Sequence, residues 1–484
     1  MSGICMGLIR SLLKFRSGWT LVIASATVAA VAAVHLQNLF PSQDSSGVLE
    51  TYSSSRPLVQ NGPFFQALGT NGRSCATCHV PANGFGLSAA QAESIYEHSN
   101  GRDPLFAPID GAACPTASQD HPLNFDLLRR YGLLRIGLQL AAHPQFTLSV
   151  VHDPYGCALV TDPASGVVAI SVYRRPLPAT NLGFLTAVQF DGRETVAPLN
   201  NAQTFAANLI TDLKHQALDA ILGHAQAAVT PSDEQLTQIV AFEAGLNTAQ
   251  GVDSKAGRLD SEGASGGPQF LAKTRFYPGI NDPLGGDPTG ATYNLNAFTL
   301  YSKWENSQDA YRRSIARGEE IFNTHPLLIT NVRGLNDALS QPVIKGTCST
   351  CHDAPNVGDH SLPVPLEIGT SRSAHFETDS QIQLALGQLS MPDLPVFQVV
   401  CTAGPDSGQI TYTSDPGKAT LTGLCTDVGR GKGPILRGLA ARAPYFHNGA
   451  AATLDQVVGF YNERFQMNLT EEEKRDLVNF LKNL

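Results

Sequence analysis

Hydrophobic residues recur along this chain at two spacings, and the spacings predict its elements. Thr230-Pro231-Ser232-Asp233 leads into Leu236, Ile239, Val240, Phe242 and Leu246, and Thr470-Glu471-Glu472-Glu473 leads into Leu477, Val478, Phe480, Leu481 and Leu484. Both runs keep the helical period and open on a capping-box pattern, so each predicts an amphipathic helix. The stretch Asp212-Leu213-Lys214-His215-Gln216, continuing to Gly223-His224-Ala225-Gln226, also reads as helical. Phe146-Thr147-Leu148-Ser149-Val150-Val151 and Gly166-Val167-Val168-Ala169-Ile170-Ser171-Val172 are β-prone and predict a small hairpin or sheet within about 105–175. Residues 251–290 carry nine glycines and read as a long loop. The expected class is mainly α with long irregular loops.

One apolar run has a different meaning. Gly18 to Val34 is uncharged and follows Arg10, Lys14 and Arg16, with small-residue cleavage patterns at Ala24-Ser25-Ala26 and Ala30-Val31-Ala32. Residues 1–40 are therefore read as a signal peptide or an N-terminal membrane anchor. Either way the body is expected outside the cytoplasm, in the periplasm. That body is globular by composition, with 42% hydrophobic and 15% charged residues. A net charge of −9 argues against nucleic acid as a partner and suits a basic electron-transfer partner.

The cysteines carry the chemistry. Of nine, Cys5 lies in the leader and four form Cys75-Ala76-Thr77-Cys78-His79 and Cys348-Ser349-Thr350-Cys351-His352. Two thiols one helical turn apart can add across the two vinyl groups of a haem, and the adjoining histidine is then placed to bind the iron. Two copies in one exported chain predict two covalently bound haem c groups. Zinc would require the distant pairs to meet, and a thioredoxin-like motif would need a βαβ setting, which the pattern does not offer. Cys114, Cys157, Cys401 and Cys425 remain, either as buried thiols or, in an oxidising compartment, as the disulfides Cys114–Cys157 and Cys401–Cys425.

A weak internal repeat frames the motifs. Gly62-Pro63-Phe64-Phe65 precedes the first and Arg317-Gly318-Glu319-Glu320-Ile321-Phe322 the second, and one of the two capped helices follows each. Two cytochrome c-like haem domains are expected, at 55–250 with the β insert and at 301–484, joined by a glycine-rich linker at 251–300.

The C-terminal stretch reads Gly431-Lys432-Gly433-Pro434-Ile435-Leu436-Arg437, Ala443-Pro444-Tyr445-Phe446-His447-Asn448-Gly449 and Thr453-Leu454-Asp455-Gln456-Val457-Val458. The first unit has Pro178-Ala179-Thr180-Asn181 and Phe190-Asp191-Gly192-Arg193, with Phe190 where relatives often carry Trp. These segments resemble the bacterial di-haem cytochrome c peroxidase and MauG superfamily over about two thirds of the chain. The resemblance implies a peroxide-reacting haem at His79 and a six-coordinate, electron-passing haem at His352. It also implies a calcium ion between the domains, near Asn181 and the backbone around Arg442 and Pro444, although Arg442 stands where relatives have Thr. Tyr461, fourteen residues after His447, falls where the peroxidases place a Met and resembles the MauG branch, which makes it the expected sixth ligand. Met467, Met391, His447 or an open position are the alternatives, as is a plain core role for Tyr461. Relatives place a distal carboxylate near Ile210; here His215, His224 and Glu194 are the catalytic candidates, or ordinary surface residues.

The expected activity is an oxidoreductase that reduces hydrogen peroxide, or uses it or dioxygen, with electrons from a small donor protein or an oxidisable substrate. The alternatives are an electron-transfer di-haem cytochrome without a bond-making site, or a haem oxygenase-type activity on a hydrophobic substrate.

Overall fold

The computed structural model describes residues 38–484 apart from 55–57, 59 and 162–166. The leader expected at 1–40 thus lies outside the described residues, except for its last three positions. Among the described residues no helix is long and apolar enough to cross a membrane.

The two capped helices form where the pattern places them. In the helix Asp233–Ala244 the Ser232 hydroxyl accepts the Gln235 N–H at 3.2 Å, and the Gln235 side chain accepts the Ser232 N–H at 2.9 Å. Thr470 and Glu473 repeat the exchange at the head of Glu471–Lys482. Each helix stops short of the last apolar residue of its run; Leu246 instead opens a strand. The helical stretch around His215 is the long helix Phe205–Gly223, which buries Leu209, Leu213, Ala217 and Ile221 at four-residue intervals.

In the C-terminal half the helix Ala310–Thr324 crosses Glu471–Lys482 at Gly318, where a Cβ would lie 2.1 Å from the Asp476 carbonyl oxygen. Glycine is what lets the two backbones approach this closely. Arg317 clamps the crossing through its 2.6 Å pair with Asp476. Phe298, Phe322, Trp304 and Phe480 fill the core beneath it. A smaller core in the N-terminal half gathers Phe64, Phe85, Ile239 and Leu246, with Phe242 packed against it.

The β structure departs from expectation. Helix makes up 30% and strand 16%, in several small sheets, so the class is mixed α and β rather than mainly α. A four-stranded antiparallel sheet runs Leu39–Gln43, Gly47–Ser53, Leu246–Asp253, Gly257–Arg258, joining the start of the described chain to residues read as linker. The insert is not self-contained. Leu134–Gln139, Val168–Arg174 and Leu159–Thr161 form one sheet, but Phe146–His152 pairs with Val396–Cys401 of the C-terminal half, Phe146 opposite Cys401. Alternation along Phe146–His152 reported a strand; its partner, some 250 residues away, leaves no local signal. Cys114–Cys157 and Cys401–Cys425 are both disulfides, each with Cα atoms 5.9 Å apart.

Candidate functional site

The two Cys-x-x-Cys-His segments adopt one local geometry. The Ser74 N–H donates to Thr77 Oγ1 at 3.0 Å, and the Thr347 N–H donates to Thr350 Oγ1 at 3.0 Å. The histidine N–H then closes onto the first cysteine carbonyl, His79 to Cys75 at 2.9 Å and His352 to Cys348 at 3.0 Å. The threonine between the cysteines therefore caps a single turn that presents both thiols and the imidazole. All four cysteines are unpaired and half-buried, and burial pushes each thiol up to about 12.

Each histidine is oriented by a carbonyl six residues on. His79 Nδ1 lies 3.3 Å from the Phe85 carbonyl, and His352 Nδ1 lies 2.7 Å from the Gly358 carbonyl. A carbonyl can only accept, so the proton sits on Nδ1 and the lone pair on Nε2, the atom that could bind a metal; the Leu177 backbone also lies beside the His79 ring. Burial lowers His79 to about 4 and lowers His352 as well, keeping both rings neutral. The second turn requires glycine at 358, with φ +75° and a Cβ position only 2.8 Å from Phe298. Phe64 stands 6.4 Å from the His79 ring and Phe322 stands 5.9 Å from the His352 ring. Phe242 and Phe480, from the two capped helices, pack on those phenylalanines.

Buried cations adjoin both loops. Arg437 is fully buried, donates to the Asn356 carbonyl at 3.1 Å, and leaves Nε and Nη2 unpaired. Arg442 leaves the same two atoms unpaired, and its Nη2 would lie 3.5 Å from a Cβ at Gly84. Burial, with Arg175 beside it, pulls Arg442 down to about 9, and burial pulls Arg437 down to about 10. Buried guanidinium donors without acceptors are uncommon in proteins. One such group beside each motif fits an anionic group, such as a haem carboxylate, at each. The same residues do not fit calcium. Both ends of the Asn181 amide are engaged by the Thr248 backbone, at 2.9 and 2.8 Å, and the second expected position carries a buried cation, Arg442, in place of a neutral side chain.

Tyr461 lies on the helix Leu454–Arg464, packed with Cys348 and Cys351 against the C-terminal core. Its hydroxyl makes no hydrogen bond among the described residues, and burial, with the two neighbouring thiols, raises its pKa. Met467 is instead buried in the core, its carbonyl accepting from His325 Nε2 at 2.8 Å. His447 stacks on Phe190 with centroids 4.3 Å apart, and its buried Nε2 makes no hydrogen bond but lies 3.8 Å from an Asp415 carboxylate oxygen.

The catalytic candidates separate into two places. Glu194 and His215 meet at 2.7 Å. His224 meets Asp110 at 2.6 Å, and Asp110 is also held by Arg73, two residues before Cys75. Burial acts to raise Asp110, but the His224 hydrogen bond and the Arg73 charge hold it below the usual carboxylate range. The charge of His224 is felt by His79. This corner is tightly docked: a Cβ at Gly69 would lie 1.7 Å from the Ala225 carbonyl oxygen, and Asn71 donates to the His224 carbonyl at 2.8 Å. Ile210, near which the resemblance put a carboxylate, is an exposed helix residue. Glu243 carried no sequence signal beyond its helix. It is buried, interacts with the Cys75 thiol, and is pushed by burial up to about 8.

Two such motifs share one geometry, which suits covalent attachment of a haem c at each. No protein-family model matches the chain. Two cytochrome-c peroxidases of Denitromonas iodatirespirans are similar: IdrP2, 31% identical over 150 residues, and IdrP1, 28% identical over 151 residues. The matches cover 29% of this chain and 36% and 37% of those proteins, little more than a third of their length. A solved MauG-like protein associated with microbial copper homeostasis aligns over 68% of this chain and 79% of its own. That alignment has 15% identity and a TM-score of 0.27, too low to bear on the fold. The chain resembles the bacterial di-haem cytochrome c peroxidase and MauG superfamily.

Proposed function

We propose that this chain is an exported, periplasmic di-haem oxidoreductase that reduces hydrogen peroxide, or uses it to oxidise a substrate. The observation that carries the proposal is the congruence of the two motifs: a threonine-capped turn, paired unbridged thiols, and a neutral histidine held through Nδ1 by a carbonyl. Haem c at these motifs would supply the redox chemistry.

The chain's residues divide the remaining work. Cys75, Cys78, Cys348 and Cys351 attach the cofactors, and His79 and His352 offer Nε2 as ligands. Arg442 and Arg437 hold anionic groups beside the first and second motifs. Tyr461 offers an unpartnered hydroxyl on the second site, which makes the first the open, reacting one. There His224 handles protons: Asp110 holds its Nδ1, and half of its side chain is exposed. A positioned acid–base group of this kind contributes about 100-fold or more to a rate.

The test is a spectrum of the oxidised and half-reduced holoprotein, followed by peroxide. The proposal expects one high-spin haem that responds to peroxide, and a response much slowed in H224A. Two low-spin haems indifferent to peroxide in both states would instead identify an electron carrier.

A further inference from the structure

We propose that Glu194, His215 and Asp219 bind one divalent transition-metal cation, at a site separate from both Cys-x-x-Cys-His motifs. One ligand atom from each residue lies within 4.8 Å of the other two. His215 and Asp219 are four residues apart on the helix Phe205–Gly223 and so share a face. Glu194 reaches that face from a turn braced at 2.9 Å by the Val188 N–H to Thr195 Oγ1. Small rotamer changes would bring the three atoms around a cation held at ~2.0–2.2 Å by nitrogen and oxygen ligands.

Charge argues the same way. Glu194 is buried, and the exposed Asp219 side chain makes no hydrogen bond or ion pair among the described residues. A third carboxylate stands one turn back. Asp212 is fully buried; one oxygen accepts the Val196 and Ala197 N–H groups at 3.0 and 2.7 Å, which pins the loop after Glu194 to the helix. Its other oxygen is buried and has no partner. Neighbouring cations hold other partners: Arg193 pairs with Asp191, although its charge still reaches Glu194, and Lys214 pairs with Asp233 at 2.9 Å. Three carboxylates around a single imidazole therefore gather oxygen donors and negative charge that a dication would neutralise. One imidazole with carboxylates is a borderline donor set, suited to Zn²⁺ and its first-row neighbours rather than to Ca²⁺. Half of the His215 ring and the Asp219 carboxylate face solvent, so the cation has an entry path and room for water ligands. A bound cation would fix the turn that carries Phe190, the ring stacked on His447.

Zn²⁺ is the probe. Chelator-stripped holoprotein is dialysed against low-micromolar Zn²⁺, and bound zinc is counted by elemental analysis, with haem content measured alongside as a check on folding. The proposal expects one equivalent, with affinity at least tenfold weaker in H215A and in D219N and unchanged in H98A, which removes an exposed histidine elsewhere. Absence of bound zinc in the unaltered protein, or equal binding in H215A and D219N with normal haem content, would overturn it.

Discussion

A histidine serves as an iron ligand only if its proton sits on the nitrogen that faces away from the metal. His79 and His352 meet that condition through backbone carbonyls rather than side chains, so the ligand tautomer is set by the turn itself. A further ligand at the second motif would come from a side chain. Tyr461 has an unpaired hydroxyl beside Cys348 and Cys351, whereas Met467 is packed away. Replacing Tyr461 by Phe should leave both haems attached but open the second, so that its reduced form binds carbon monoxide; an unchanged spectrum would remove Tyr461 from the ligand set. Glu243 gives a pH prediction. Burial raises it from 4.5 to about 8, so the folded chain retains a proton that the unfolded chain releases. Stability is then lost as pH rises from about 4.5 towards 8. In urea titrations E243Q should flatten this slope and be the more stable protein at pH 8. At this scale the residues that share one turn were legible in the sequence, because a Cys-x-x-Cys-His spacing is local. It did not reveal Asp110, Arg442 as a buried unpaired cation, or Glu243, because their roles depend on chain segments far away.

Elements were legible where a cap and a period coincide. Ser232 and Gln235, like Thr470 and Glu473, announce their helices, and both capping boxes form. Leu246 and Leu484 fit the same period but fall outside the helices, because an apolar residue just past a helix end satisfies the pattern equally well. The close crossing at Gly318 was not visible in the pattern, since only the partner backbone explains the glycine. G318A forces a methyl into the Asp476 carbonyl. It should cost about 1–3 kcal/mol in denaturant unfolding, and a neutral result would mean that the two helices do not cross there.

Over the whole molecule, each motif has an aromatic cluster beside it: Phe64, which neighbours His79, packs with Phe85 and Phe242, and Phe322, which neighbours His352, packs with Phe298 and Phe480. What the sequence could not show is how far the halves are knitted together. Phe146–His152 pairs with Val396–Cys401, and Arg174 bridges Asp191 and Asp415 at 2.7 and 2.6 Å. Segments between the motifs thus act as a shared scaffold, and each turn is held by residues from both parts of the chain. This scaffold is expected to hold two porphyrins by thioether bonds. The direct measurement is the intact mass of the chain made in cells with a working haem-attachment system, after denaturation and organic extraction. It should exceed the polypeptide mass by two haem groups, and by one in either C75A/C78A or C348A/C351A; a mass equal to that of the bare polypeptide would contradict the account.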